Sequence, residues 1–533
     1  LIFDGSGGVS SAMEIVGVFP VPGVSAPERR FTIEFFGAFS GSVPAPRLAL
    51  ALDMDEPPLN TPAPDAPDID PEKFEWVKDM KALDRWIAVI RDHGYVAVDT
   101  ETTSLNEMQA EFAGICLAVV PGEACYIPVG HKTGDGEGLF ADDKLAEGQL
   151  PLDDVLAALK PVLEDPAILK IFQNAKYDTK IFSRHGLNVA PIDDTMLMSY
   201  AMFSGLHNHG MDTLSEHYLG HTPISIKTLL GTGKSAITFD KVKIEDAVKY
   251  AAEDADVTLR LWQLFKPRLH REKVTTVYET LERPLVPVLA QMEMHGVQVD
   301  RDTLSRMSNA FAQKMAGLEA EIHELAGQSF NVGSPKQLGE ILFDKLGLEG
   351  GKKGKTGAYG TGAEVLEALI DHGHDLPARV LDWRQLAKLK STYSDALMEQ
   401  INPDTGRVHT SYSQAGASTG RLASTNPNLQ NIPVRTTDGR RIREAFVPES
   451  GSVLLAADYS QIELRIMAHL SGDDGLLAAF ADNQDIHRAT ASEVFSTALE
   501  DVDSDQRRSA KAINFGLIYG MSAFGLAPQL GIN

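Results

Sequence analysis

The sequence predicts an α/β domain in its first half and a mainly helical region behind it. Three observations carry this. Strand-like runs alternate with amphipathic helical patterns from about Lys73 to Lys266, and apolar residues at three- and four-residue spacing dominate from Thr280 to Ala326. The third is the stretch Gly94–Leu105, GYVAVDTETTSL, in which a β-branched run ends in two acids, Asp99 and Glu101. Period-two geometry puts both carboxylates on one face of a strand end.

With 533 residues the length suggests about three or four domains, each with ample core. The 43% apolar and 23% charged balance is that of a globular chain, and a net charge of −25 argues against a protein that coats nucleic acid through overall charge. Local basic stripes and bound cations remain compatible with it. Cys116 and Cys125 are too few for a disulfide framework or a zinc site, and their surroundings, LAVVPGEACYIPV, read as a buried hairpin in a reducing compartment. No uncharged apolar run reaches the ~18 residues of a membrane span and no basic segment precedes an apolar one at the start, which predicts a cytoplasmic protein with no membrane partner. The chain opens at Leu1 and stops at Asn533, so a fragment is expected.

In chain order, residues 1–52 hold strand-like pieces such as Phe31–Phe36 without an assignable role, and Asp53–Glu72 is rich in proline and acids, which marks a linker. An α/β unit at 73–266 follows, with an amphipathic helix at Leu152–Leu163. Helical patterns come next at Thr280–Met294, with a stop at Gly296, and at Leu304–Ala326; Ser334 caps and Pro335 opens another helix. The loop Gly350–Gly357 carries Lys352, Lys353 and Lys355, which read equally as a solvated turn or as a grip on a phosphate backbone. Two glycine-rich runs, Leu229–Ser235 and Gly350–Thr356, each miss the phosphate-loop pattern by one residue, having Thr228 and Glu349 where glycine is required, and this excludes an ATPase on that motif. His207, His209, His217 and His221 crowd one region without the acids and pairing of a zinc protease, so surface or packing roles are expected.

A D-x-E alone also fits solvated acids at a strand end. Two further acids in context change its weight. Lys170–Phe182, KIFQNAKYDTKIF, breaks at Asn174 and presents Asp178; Tyr250–Leu261, YAAEDADVTLRL, is helical with Tyr250 and Asp254 at i and i+4. Four carboxylates suffice for two divalent ions, Mg²⁺ or Mn²⁺, about 3.5–4 Å apart, an arrangement suited to phosphodiester cleavage, with Tyr250 placed to orient the attacking water. The order D-x-E, D, Y-x-x-x-D resembles the proofreading 3′-5′ exonuclease superfamily, which includes ribonuclease D-like enzymes, over about Phe74–Leu264. That resemblance implies a ribonuclease H-like fold and roles for Leu105 and Asn174 in seating the terminal nucleotides.

Three later stretches carry a second signal. Thr419–Arg435, TGRLASTNPNLQNIPVR, is turn-rich and bracketed by Arg421 and Arg435, suited to minor-groove and phosphate contacts. Val453–Arg465, VLLAADYSQIELR, reads as a buried strand ending at Asp458, with Glu463 at the start of a helix. Arg507–Gly520, RRSAKAINFGLIYG, places Arg507, Lys511, Phe515 and Tyr519 at i+4 steps, giving one stripe of two cations and two rings along a helix face. Cations there suit phosphates and Phe515 a sugar and base, although an amphipathic helix with a basic end and an apolar end explains the same pattern.

Together these stretches resemble the bacterial family A DNA polymerases from about Phe74 to the last residue. The resemblance implies a thumb at 280–399, a palm at 400–470 and the start of the fingers at 471–533 within a partial polymerase domain at 267–533. It makes Asp458 a palm ligand for catalytic metal and Glu463 the residue that excludes a ribose 2′-hydroxyl. Arg507, Lys511 and His487 would bind the triphosphate, Phe515 its sugar, Tyr519 the templating pocket and Arg421 the primer-template duplex. DNA primer-template, single-stranded 3′ ends and dNTPs are the implied partners of a monomer at the bacterial nucleoid, acting in replication and repair. Such enzymes take a second palm acid from a downstream His-Asp-Glu turn, and two ions sit at the polymerase site of the complete protein. No such motif occurs before Asn533, so only the exonuclease constellation is expected to be complete, with exposed apolar surface on the truncated palm. A stand-alone 3′-5′ exoribonuclease and an inactive DNA-binding remnant are the rival readings.

Overall fold

The computed structural model describes residues 18–20, 67–133, 144–354, 357–434, 436–518 and 522. Phe31–Phe36, residues 53–66 of the proline-rich stretch, Lys355, Arg435 and Tyr519 lie outside them. The described residues fall into two compact units: the larger runs from 67 to 433 and adds 438–447, and the smaller holds the rest.

The larger unit is built on a six-stranded sheet. Its strands are β1 (Glu75–Trp76), β2 (Tyr95–Thr102), β3 (Phe112–Val120), β4 (Glu123–Pro128), β5 (Leu169–Phe172) and β6 (Ile192–Asp194), in spatial order β1-β4-β3-β2-β5-β6. Antiparallel hairpins join β2, β3 and β4, while β5 runs parallel to β2 and β6 parallel to β5. Cys116 and Cys125 sit in the β3–β4 hairpin, both buried and free, as their surroundings predict.

Alternation along the strands divides the side chains between two cores. On one face Val96, Val98, Ile115 and Leu117 pack against α1 (Met80–His93), α2 (Leu152–Leu163) and α3 (Ala175–Arg184). Helix α4 (Thr195–Phe203) completes that layer through Leu197 and Met198. On the other face, small residues Ala97, Ala113, Cys116 and Ala118 meet Ala247, Ala251 and Ala255 of α5 (Ile244–Arg271), whose own alanines let the 28-residue helix lie close to the sheet. The entry to β2 is set by α1: Asp79 caps its start, accepting from Ala82 N at 2.8 Å, and Gly94 ends it in the left-handed region at φ +73°.

Behind the sheet, the expected helical patterns appear as α6 (Arg283–His295), ending at Gly296, and α7 (Arg301–Ala326), capped by Asp300. Ser334 Oγ accepts from Gln337 N at 3.4 Å and caps the short helix Pro335–Gly339. With α8 (Asp375–Lys388) these elements enclose a separate core of Ile322, Leu338, Leu342, Leu366 and Val380. The four crowded histidines pack: His207 lies 5.2 Å from His209 and 5.4 Å from His217 between ring centres, and His221 Nε2 meets Glu253 at 2.8 Å.

In the smaller unit the strand Ser452–Leu454 pairs antiparallel with Val18–Pro20, and four helices follow. They are α9 (Ile462–Ser471), α10 (Asp474–Ala481), α11 (Ile486–Phe495) and α12 (Ser504–Ile518), with α11 packed on α12. Here the buried strand read as ending at Asp458 is corrected. The strand stops at Leu454, Val453 is 50% and Leu454 38% exposed, and Asp458 lies on the exposed loop before α9. Apolar sequence reports what a strand needs around it, and among the described residues only one edge partner is supplied.

Candidate active site

The end of β2 carries the acids predicted from the sequence. Asp99 and Glu101 point to the α5 face, as a period of two requires, and the antiparallel register puts Cys116 of β3 directly opposite Asp99. Oxygens of both carboxylates and the Cys116 sulfur lie within 4.8 Å of one another. From the same side, α5 brings Asp254, with Tyr250 one turn earlier and its hydroxyl against the Asp254 carboxyl.

Asp178 arrives from the opposite layer. Strand β5 pairs with β2 only as far as Ala97, which leaves the edge of β2 beyond that point open to α3. The edge is filled by Asp178, whose Oδ1 accepts from Thr100 N at 3.1 Å and Thr100 Oγ1 at 2.6 Å. Thr100, one residue from each acid of the D-x-E and pointing to the other face, therefore locks the third acid in place. Asp194 fixes where α3 begins: its carboxylate accepts from Asn174 N at 3.1 Å and Ala175 N at 2.8 Å, while Asn174 takes the left-handed conformation at φ 71°. Leu105 stands 89% exposed on the segment between β2 and β3, and Asn174 is exposed at the head of α3.

Electrostatics show what the arrangement costs. Burial pushes Asp99 up to about 7. Burial first and repulsion from Asp99 second drive Asp178, Asp254 and Glu101 well above the ordinary carboxylate range, with Asp178 also acting on Glu101 and Glu101 on Asp254. Among the described residues, no lysine or arginine is a leading influence on any of the four. Burial and the same acids keep the Tyr250 hydroxyl and the Cys116 thiol protonated, so Tyr250 is a donor and Cys116 a neutral neighbour. Hard oxygen donors at mutual repulsion fit Mg²⁺ or Mn²⁺, and a protonated, soft thiol does not compete for them.

The second group of predicted residues lies elsewhere. Arg507, Lys511 and Phe515 share α12, and His487 on α11 faces them: its ring centre is 5.6 Å from that of Phe515, and Asn514 Nδ2 donates to its Nδ1 at 3.0 Å. Arg507 Nε pairs with Asp485 Oδ2 at 2.6 Å, and Lys511 Nζ lies 5.8 Å from the Phe515 ring centre. Burial, with Arg507 and Lys511 alongside, lowers His487 to about 4, so it is neutral at pH 7. Asp458 and Glu463 precede this group in the same unit, at the entry to α9. Arg421 is exposed in the larger unit, beside the strand Ala423–Thr425. Arg435 and Tyr519 fall outside the described residues.

Residues 74–270 match the 3′-5′ exonuclease family and residues 301–533 match DNA polymerase family A. Among solved structures, the POL domain of Pol1 from M. smegmatis, in complex with DNA primer-template and dNTP, is 33% identical with a TM-score of 0.71, over 86% of this chain and 74% of that one. The chain belongs to DNA polymerase family A. Curated relatives within the family include DNA polymerase I of Rhizobium leguminosarum, 54% identical over 87% of this chain and 46% of that protein. DNA polymerase I of Pseudomonas aeruginosa is 52% identical over 86% of this chain and 50% of that protein. The chain thus spans about half the length of these relatives. An exonuclease match followed by a polymerase family A match favours the family A reading over a stand-alone exoribonuclease.

Thr100 and Asp194 go unmarked in the sequence, and Cys116 reads there only as part of a buried hairpin. Thr100 had one available signal, a β-branched hydroxyl residue flanked by both acids.

Proposed function

We propose that the larger unit hydrolyses 3′-terminal nucleotides of DNA with Mg²⁺ or Mn²⁺ as cofactor, as the proofreading activity of a DNA-directed DNA polymerase. The observation that carries this is the mutual repulsion of Asp99, Glu101, Asp178 and Asp254, brought in from a strand and two opposed helix layers, with no lysine or arginine among the leading influences on them in the described residues. In this reading the four carboxylates hold two divalent ions. When bound, such ions lower the pKa of an attacking water and stabilise the leaving oxygen. Asp254 and the Tyr250 hydroxyl beside it orient that water, since Tyr250 stays protonated at working pH. Thr100 keeps Asp178 from swinging away, and Leu105 and Asn174 seat the terminal nucleotides.

Within the same reading the division is 73–266 for exonuclease and 267–533 for polymerase. Asp458 serves as a palm metal ligand, together with two ions and a second acid of the whole protein, and Glu463 selects against ribose. Arg507, Lys511 and His487 meet the triphosphate, with His487 acting as a neutral hydrogen-bonding group, and Phe515 meets the sugar. Arg421, Arg435 and Tyr519 meet the primer-template. The co-location of His487, Arg507, Lys511 and Phe515 on the α11–α12 pair supports this, as does the M. smegmatis Pol1 complex with primer-template and dNTP. No helix of the described residues is long and apolar enough to cross a membrane, and a monomer in the bacterial cytoplasm at the nucleoid is the proposed setting.

Incubating the chain with 5′-labelled single-stranded DNA and Mg²⁺ tests the hydrolytic half. Stepwise shortening that Asp99→Ala and Glu101→Ala abolish is expected. Binding without shortening would favour an inactive DNA-binding remnant.

A further inference from the structure

Glu293 lies on α6, outside the residues that match the exonuclease family, yet its side chain is buried against α3. On α3, Lys176 and Lys180 are one turn apart and share a face, while Asp178, about 200° around from Lys176, leaves the helix on the opposite side. The acid face docks on Thr100 of β2. The lysine face is taken by Glu293: Oε1 accepts from Lys176 Nζ and, at 2.6 Å, from Tyr412 N, and Oε2 accepts from Lys180 Nζ.

Lys180 makes a second ion pair, with Glu107 Oε1 at 2.7 Å. Glu107 belongs to the segment 103–110 that carries Leu105, and α3 holds that segment at further points. Tyr177 OH donates to Ser104 O at 2.7 Å and Arg184 Nη1 to Glu107 O at 3.0 Å. One helix thus fastens Asp178, the Leu105 segment and α6, and the charges close upon themselves, two ammonium groups against two carboxylates.

We propose that Glu293 is a positioning residue for hydrolysis at the four-acid site. By accepting from Lys176, Lys180 and Tyr412 N at once it ties α3 to α6 and so sets α3 against β2, and through Lys180 and Glu107 it sets the segment that presents Leu105. Without this bridge the lysine face of α3 loses its anchor even where charge is balanced, and α3 is free to shift against β2. The proposal rests on the exonuclease reading above.

The test uses the full chain with Glu293→Gln, Glu293→Asp and the double variant Glu293→Gln/Lys176→Gln, in which one charge of each sign is removed and the buried cluster stays balanced. Mn²⁺ affinity is read by electron paramagnetic resonance, amide exchange over 103–110 and 175–184 by mass spectrometry, and shortening of 5′-labelled DNA by gel. The double variant is expected to melt near the parent, to bind Mn²⁺ about tenfold more weakly, in line with other losses of a group that orients a metal ligand, and to exchange faster only in those two segments. Its kcat should fall and its KM for DNA rise as the segment that presents Leu105 loosens, and Glu293→Asp should recover part of the loss. A folded double variant with parental Mn²⁺ affinity and exchange overturns the proposal, and so does unfolding of both Gln variants, which would leave Glu293 a role in stability alone. If Asp99→Ala shortens DNA as fast as the parent, the exonuclease reading falls and this proposal with it; if Asp99→Ala is inert, the Glu293 variants decide.

Discussion

Replacing Asp99 with asparagine in metal-free protein isolates the electrostatic cost on which the site reading depends. In the folded chain Asp99 holds its proton up to about 7, against an ordinary 3.8. Between those values the folded state binds a proton that the unfolded state has lost, so stability falls as pH rises through this window and the full penalty is present above about 7. At ~1.4 kcal/mol per pH unit the ceiling is about 4 kcal/mol, and relaxation with water entry reduces it to about 2 kcal/mol. Metal-free parent protein should therefore melt progressively lower from pH 5.5 to 8.5 in calorimetry with EDTA. Asp99→Asn should flatten that slope and raise the melting temperature at pH 8.5 by about 2–4 °C. Millimolar Mg²⁺ should lift the parent to or above the variant, since an ion bound to the folded state alone stabilises it by mass action. A metal-free melting temperature that stays level or climbs over this range, or a variant that melts below the parent at pH 8.5, would refute mutual repulsion at the end of β2.

Thr100→Val removes the 2.6 Å donor to Asp178 and leaves only the 3.1 Å backbone bond. Loss of a hydrogen bond to a charged acceptor, about 1.5–3 kcal/mol, should slow 3′-end shortening about 10- to 100-fold and lower the melting temperature by a few degrees; an unchanged rate would show that Thr100 does not place Asp178. Asp194→Ala strands Asn174 N, Ala175 N and Met196 N, and urea denaturation should register a loss of about 2–4 kcal/mol along with impaired hydrolysis. For His487, held near 4 by burial, the unfolded state takes a proton near 6.5 that the folded state refuses. Its contribution is intact above about 6.5 and lost as pH falls toward 4, so the smaller unit should melt lower across that range, and His487→Asn should remove this dependence.

Local periodicity made much of the site legible. A period of two fixes Asp99 and Glu101 on one strand face, and the i, i+4 spacing fixes Tyr250 beside Asp254, before any tertiary contact is known. Facts of tertiary geometry stayed hidden. The break read at Asn174 matches a strand that stops at Phe172, but the register that ends its pairing at Ala97, and so opens the edge of β2 to Asp178, is nowhere stated in KIFQNAKYD. The pattern VLLAAD was misread for the complementary reason, because hydrophobicity records a demand for burial and leaves open which segments meet it; Val453 is half exposed.

Glu293 shows the limit most sharply. In TLERPLVPVLAQMEM nothing marks the second glutamate, Glu293, as buried, and only a second helix, more than a hundred positions earlier, makes it a buried counter-ion. Its clue was split between two places: lysines at 176 and 180 on a helix with Ile181 and Phe182 in the core, and an acid within the largely apolar run Leu285–Met294. Each charge alone is costly to bury, so each is evidence that a partner of opposite sign exists somewhere in the fold. Helix α3 could not place Asp178 from local sequence alone: its acid face needs the end of a strand, and its basic face needs a residue from outside the exonuclease match.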